Sequence, residues 1–459
     1  MFKKFERNKD FYKSVLVIAV PMMIQNGITN FVSLLDNLMV GQVGTLQMSG
    51  VSIANQLLFI SNLTIFGGLA GAGIFASQFF GKGDTEGVKS TIRYKLYLAI
   101  VIITVAIIVF LKQGPTLIGI YLKGGDSRRD IQATLGYGLD YIHVMVVGLV
   151  PFALTQVYAS TLRECGESML PMKAGLIAVV VNLVFNYLLI FGNFGFPCLG
   201  IEGAAIATVI SRFVEFFVVF IIAKRRKAEF PFFVDTFDTF KINGELAKQI
   251  TLKGTPLLAN EFLWSVGIAM LSRCYSFRGL DVVAAMNISQ TICNLFNTVF
   301  LSLGNALGII IGHELGAGNT EKAYEDDIKL IWFSTRICVL VGLFIAGASL
   351  FVPDFYNTTP EVKSLARQFL LVVACCAPIL GFTNCCYFTL RCGGKTFITF
   401  LFDSMFVLAI NLPTAYLLTH FTGLPVVRCY ALVNFEDLFK SIYGYILVKK
   451  KIWVNNMVG

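Results

Sequence analysis

Residues 81–86 read Gly81-Lys82-Gly83-Asp84-Thr85-Glu86, and residues 316–321 read Gly316-Ala317-Gly318-Asn319-Thr320-Glu321. The two stretches lie 235 positions apart (316 − 81), and the same offset takes Pro21 to Pro256, Gly44 to Gly279 and Ile53 to Ile288. The register holds without a gap over roughly 65 residues. Further on, Thr161-Leu162-Arg163 returns as Thr389-Leu390-Arg391, and Asn182 with Tyr187-Leu188-Leu189 returns as Asn411 with Tyr416-Leu417-Leu418. Apolar segments can resemble one another through composition alone. A shared polar Gly-x-Gly-x-Thr-Glu loop does not arise that way, so the chain is read as an internal duplication.

What has been duplicated is membrane-spanning. Of 459 residues, 56% are hydrophobic and only 14% charged, with a mean hydropathy of +0.72, too apolar for a soluble fold. A span needs about 20 apolar residues to cross the hydrocarbon. Apolar runs fall at 14–40, 51–80, 91–111, 133–160, 171–191 and 200–223. After a polar stretch come 248–272, 282–312, 329–352, 364–390, 397–420 and 426–447. The expected fold is therefore an all-α polytopic protein of 12 transmembrane helices in two six-helix bundles. The expected bundles are 1–223 and 246–459, joined by a cytoplasmic linker at 224–245. An even number of spans per copy inserts both with one orientation. A pseudo-two-fold along the membrane normal then relates them, with a substrate path between. Runs longer than 25 residues imply tilt, kinks or extension into the interface.

Net charge is +9. The basic residues sit in short loops between apolar runs, so they report orientation rather than nucleic-acid binding. Lys3, Lys4, Arg7, Lys9 and Lys13 precede the first span. Alternate loops carry Lys82, Lys89, Arg93 and Lys95, then Arg163 and Lys173, then Lys224-Arg225-Arg226-Lys227, and later Lys322, Lys329, Arg391, Lys395 and Lys449-Lys450-Lys451. Loops 41–50 and 192–199 have neither Lys nor Arg, while Arg128-Arg129 is offset by Asp126 and Asp130. Both termini are expected in the cytoplasm, and the first apolar run is read as a retained helix, having no small-residue cleavage site. The 11 Cys form no CxxC pair and the three His are far apart, so the thiols are read as packing groups.

Polar side chains in hydrocarbon need a cavity or a partner. Gln25, Thr29, Ser33 and Asp36 fall on one face of the first span, Asn182 and Asn186 lie one turn apart in the fifth, and Asn287, Gln290, Asn294, Asn297 and Asn305 form a stripe in the eighth. Any one of them could be interhelical glue, at about 0.6 kcal/mol per hydrogen bond. Three stripes together indicate a hydrated cavity, whose expected lining is Gln25, Thr29, Ser33, Asn55, Asn287, Gln290 and Asn294. Two acids stand apart. Asp36 has no Lys or Arg near it on its own helix, and Glu261 lies near mid-membrane, where an acid costs on the order of 2.5–3.5 kcal/mol. Such a carboxyl can take up a proton or hold Na⁺; a buried Arg or Tyr partner is the plainer alternative. Asp140, with His143 one turn on, and Asp403 are read as either cavity-lining or interfacial. Pro21 and Pro256 sit mid-helix and permit bending.

The run from Pro21 to Asp36-Asn37-Leu38-Met39-Val40-Gly41-Gln42-Val43-Gly44, followed by the 81–87 loop, resembles the signature of the MATE (multidrug and toxic compound extrusion) family. So do Leu162-Arg163-Glu164-Cys165-Gly166-Glu167, Asn186-Tyr187-Leu188-Leu189-Ile190-Phe191-Gly192, Gly200-Ile201-Glu202-Gly203-Ala204-Ala205-Ile206-Ala207-Thr208 and Glu314-Leu315-Gly316-Ala317-Gly318-Asn319. The resemblance covers nearly the whole chain. It implies two six-helix bundles facing each other in a V, and export of organic cations in exchange for H⁺ or Na⁺ by alternating access. It also implies that Asp36, Asn182, Asn186 and Thr208 form a cation-binding cluster, able to hold Na⁺, and that Glu261 is the acid of a second cation site. Two departures are visible. Asn186 stands where some members carry Asp, and the tenth span, 364–390, has no acid to complete the second site.

No Asp-rich diphosphate motif, metal-ligand helix or nucleotide loop is present, so an enzyme is not expected. A flippase for a lipid-linked or amphipathic metabolite is the nearest alternative. Acids inside the membrane suit cationic substrates better. The expected protein is a monomeric antiporter of the bacterial inner (plasma) membrane, without a cofactor, whose partners are a small amphipathic or cationic substrate and the lipid bilayer.

Overall fold

A computed structural model describes residues 9–122, 128–239, 241–356 and 358–459. Lys3, Lys4, Arg7 and Asp126 of the charge pattern lie outside the described residues. The described residues form helices and no strands. They are α1 (Lys9–Gly41), α2 (Thr45–Lys82), α3 (Thr85–Tyr121), α4 (Arg128–Glu164), α5 (Met169–Phe191) and α6 (Ile201–Arg225), then α7 (Gly244–Ser276), α8 (Leu280–Gly316), α9 (Thr320–Phe351) and α10 (Pro360–Cys392). The last are α11 (Thr396–Phe421), α12 (Val426–Phe435) and α13 (Asp437–Lys449). Ten of them, α1–α6 and α8–α11, are long and apolar enough to span a membrane. α7 carries Asn260 and Glu261 at its middle, and the 426–447 run divides into α12 and α13 at Glu436.

The duplication is visible in how helices end. Gly83 has φ +79° and Gly318 φ +80°, a left-handed conformation that only glycine adopts cheaply. Gly83 N–H donates to the Phe80 carbonyl and Asp84 N–H to that of Phe79; 235 residues on, Gly318 bonds Leu315 and Asn319 bonds Glu314. Gly166 and Gly394 end α4 and α10 in the same way. Each is a left-handed cap that satisfies the last carbonyls of its helix.

Backbone proximity gathers the chain into two compact units. Unit 1 holds α1 as far as Met23, Ser77–Asp84 and Thr251–Gly459; unit 2 holds Ile24–Ala76 and Thr85–Ile250. The long segments divide at Ile250/Thr251, shortly after the expected linker. α1 contributes to both units, dividing two residues after Pro21, and so does α2. Residues 224–245 pack onto unit 2 because they are partly apolar. Phe230 and Phe232 are buried, Phe233 stacks on Tyr158 with centroids 4.7 Å apart, and the Arg93 guanidinium donates to the Thr236 carbonyl at 2.7 Å.

In unit 2, α6 packs against α4 and α5, and α3 against α4. Lipid removes the hydrophobic incentive, so close packing and interhelical hydrogen bonds hold the helices. Ala99, Ala153, Ala204, Ala205 and Ala207 are accordingly buried, and Lys95 is sealed against Glu164, Ser160 and Thr161. Ile100, Val101, Val105 and Ile108 of α3 are exposed, as a lipid-facing side requires. In unit 1, α8, α9 and α10 pack together and α13 lies on α10, over a core that includes Leu303, Leu307, Ile311, Leu330, Leu390 and Trp453. The end of α2 crosses the end of α8 at glycine. A Cβ at Gly81 would collide with the His313 carbonyl, one at Gly316 with the Gln78 carbonyl, and one at Gly312 with Ser77. Gln78 is fully buried there. Its amide donates to the carbonyls of Cys392 (3.1 Å) and Asn455 (3.3 Å) and accepts from Met457 N–H (2.8 Å).

Candidate functional site

The unit 2 cluster joins side chains from five helices. Asp36 comes from α1, Asn182 and Asn186 from one face of α5, and Thr208 from α6. Asn186 Nδ2 donates to Asp36 Oδ1 at 2.6 Å and lies 3.2 Å from Asn182 Oδ1. The Thr208 hydroxyl donates to its own helix at the Ala204 carbonyl, 3.0 Å away. Tyr141 of α4 is buried and hydrogen-bonds both Asn55 of α2 and Thr208. The Asn182 amide has two orientations, and hydrogen bonding alone decides between them. In one, Nδ2 donates to Thr208 at 3.2 Å and Oδ1 takes the Asn186 proton. Rotated, its nitrogen donates to Asp36 at 3.0 and 3.3 Å and its oxygen accepts from Thr208.

That choice is chemically informative. An ionised Asp36 wants the amide nitrogen toward it. The other orientation sets Asn182 Oδ1 about 3.0 Å from Asp36 Oδ1, which needs a proton on the carboxyl or a cation between the oxygens. Asn186 Oδ1 is buried with no hydrogen-bond partner, a further oxygen free to ligate. The oxygen donors fit a hard cation or a proton. Among the described residues no Lys or Arg pairs with Asp36. Arg212 of α6 acts on it at longer range, itself 3.2 Å from Glu215 and stacked on the Phe152 ring.

Unit 1 holds a second polar cluster. Val407–Asn411 is a π-helical turn ahead of Pro413, which has no N–H to continue the α ladder, and Leu401–Met405 is another. The wide turn frees the Ser404 N–H, which donates to Asn260 Oδ1 at 3.2 Å, while Ser404 Oγ lies 2.6 Å from the same oxygen. Asn260 Nδ2 donates to Asp403 Oδ2 at 3.1 Å, and the Lys440 ammonium lies 2.8 Å from Asp403 Oδ1. Glu261 has Arg391 and Asp403 as its charged neighbours, and Arg391 also hydrogen-bonds Tyr387.

Residues 21–188 and 256–417 both match the profile of the MatE family. The chain belongs to the MatE family. The two matches start at Pro21 and Pro256, the register found in the repeat. The chain is 22% identical to a Thermotoga maritima protein described as "Probable multidrug resistance protein NorM", over all of this chain and 97% of that one. An Oceanobacillus iheyensis protein of the same description is 25% identical over 91% of each, and a Bacillus subtilis one, YoeA, is 24% identical over 95% of this chain and 93% of its own. Among solved structures, the Vibrio cholerae MATE transporter VcmN superposes with a TM-score of 0.84 at 18% identity over 97% of both chains. A Pyrococcus furiosus transporter described as having a binding pocket of reversed polarity gives 0.82 at 19% over 96%. The MatE chain is thus a multi-pass membrane transporter, not an enzyme, with the fold of 12 helices in two bundles.

In this MatE transporter, Asp36, Asn182, Asn186 and Thr208 do come together, with Asn55 one residue removed through Tyr141. Gln25 lies against Gly175, and Thr29 turns its hydroxyl onto its own helix at the Gln25 carbonyl; Ser33 is exposed. In unit 1, Asn287, Gln290 and Asn294 are exposed along α8, with Gln290 bonded to Asn294 at 2.8 Å. Pro21 is buried and Pro256 half-buried. Asp140 and His143 are exposed, whereas Asp403 joins the unit 1 cluster with Glu261. Sequence reading missed Tyr141, Arg212, Asn260, Tyr387 and Lys440. A Lys within the last apolar run, one turn after Asp437, was the signal available for Lys440.

Proposed function

We propose that this protein is a multidrug efflux antiporter of the plasma membrane, exporting organic cations in exchange for H⁺ or Na⁺ bound at Asp36, with both termini in the cytoplasm. The observation that carries the reading is a half-buried carboxylate set among neutral amides and hydroxyls, with no Lys or Arg in contact among the described residues. Relatives named for multidrug resistance supply the substrate class. The cation binds Asp36 from outside, and the Asn182 amide turns its oxygen toward it. Substrate taken from the inner side displaces the ion; one-for-one exchange with a monovalent cation moves no net charge, so the ion's concentration gradient drives it, and each further ion taken inward would add about 2.3 kcal/mol per 100 mV.

The test is ethidium efflux from proteoliposomes carrying only a proton gradient or only a sodium gradient. One of the two is expected to drive efflux by the wild type, and Asp36→Asn to abolish it. Undiminished coupled efflux by Asp36→Asn would remove the central assignment. Glu261→Gln, whose counter-charge is already part of the chain, is expected to keep most of the coupled rate.

A further inference from the structure

A carboxylate buried in a membrane protein needs a positive partner, either borrowed from solution or built into the chain. The two clusters differ in this. Asp36 has no ion pair among the described residues, while Asp403 holds the Lys440 ammonium at 2.8 Å. We propose that Lys440 is a tethered cation that takes the place of an exchangeable one in the Asp403 cluster of unit 1, closing that cluster to exchange with solution. The inference rests on the exchange reading of Asp36 and adds which part of the duplicated chain is closed to it.

The oxygens of Asp403 and Asn260 each face a donor. Asp403 Oδ1 faces the Lys440 ammonium and Oδ2 the Asn260 amide at 3.1 Å. Asn260 Oδ1 receives the Ser404 N–H and lies 2.6 Å from its hydroxyl. A hard cation binds through oxygen lone pairs, and it would have to compete with a donor at each of these oxygens. The ammonium is also fixed in place. Its side chain is 9% exposed and sits over the rings of Phe402 and Phe406, at 5.2 and 5.8 Å. The charged groups around it are Asp403 on α11 and Asp437 on α13, with Glu261 of α7 and Arg391 of α10 beyond Asp403. Glu261 repeats the arrangement, since Arg391 is its positive neighbour. The expected second cation site lacks its acid in 364–390 and has a lysine instead.

Sodium binding to purified protein in nanodiscs at mildly alkaline pH tests this, using radioactive sodium in an Asp36→Asn background that silences unit 2. That background should bind no sodium. Adding Lys440→Met, which keeps the length of the side chain, should create about one sodium site per chain and raise the melting temperature in sodium chloride relative to choline chloride. Adding Asp403→Asn should abolish both gains, and Lys440→Arg in place of Lys440→Met should bind none. Three results overturn the proposal: sodium retained in the Asp36→Asn protein but lost with Asp403→Asn or Glu261→Gln; a folded Lys440→Met protein that binds no sodium; or one that fails to fold even in sodium chloride. None depends on Asp36 coupling transport, whose failure appears instead as undiminished efflux by Asp36→Asn.

Discussion

Thr208 serves two alternative bonds with a single proton: it donates to the Ala204 carbonyl at 3.0 Å, or to the Asn182 oxygen when that amide is rotated. Thr208→Val keeps the shape and removes the choice. We expect a cost of about 1 kcal/mol in stability, the usual worth of one hydrogen bond, and a several-fold weaker cation affinity, read as sodium binding or as the midpoint of proton-driven efflux. Unchanged affinity with lowered stability would reduce Thr208 to a packing residue. This cluster was legible in the sequence because Asp36, Asn182 and Asn186 stand out as polar groups in apolar runs and match a family pattern. Tyr141 and Asn260 were not, since a tyrosine or an amide in a span looks the same whether it supports a site or glues helices. Lys440 was hidden differently. In the charge pattern lysine marks loops, and only tertiary structure shows one turned inward onto a carboxylate from another helix.

At the level of elements, the paired turns at Gly83 and Gly318 make a matched experiment. Both have φ near +80° and open space where a Cβ would go, so alanine meets only the backbone penalty of about 1–2 kcal/mol. Gly83→Ala and Gly318→Ala should therefore lower the melting temperature by similar amounts, each less than Gly81→Ala, whose Cβ collides with backbone. A large inequality between the first two would mean that the halves no longer share their turns. Helix positions followed from hydropathy, and the turn residues from the repeat. The π-helical turns of α11 did not, because Pro413 signals a lost hydrogen bond without saying which register absorbs it. Nor did the packing of 224–245 onto unit 2, which its charged start concealed.

For the molecule as a whole, Cys198 can report on the orientation proposed from the distribution of lysine and arginine. It is exposed in the 192–199 loop, which the charge pattern puts outside. A membrane-impermeant maleimide should label Cys198 in intact cells, and label a cysteine at Lys450 (Lys450→Cys) only after permeabilisation; the reverse pattern would invert the topology. The crossing of α2 and α8 bears on symmetry instead. Gly81 against His313 and Gly316 against Gln78 are one contact written twice, since each residue lies 235 positions from its counterpart. That reciprocity is what a two-fold axis imposes on identical subunits, where one patch meets its own copy. A half-length chain carrying both sides of this contact could pair with its own copy through the glycine patch. In the joined chain the two sides differ: Gln78 is bonded to residues 392, 455 and 457, while His313 rests on the Phe80 ring.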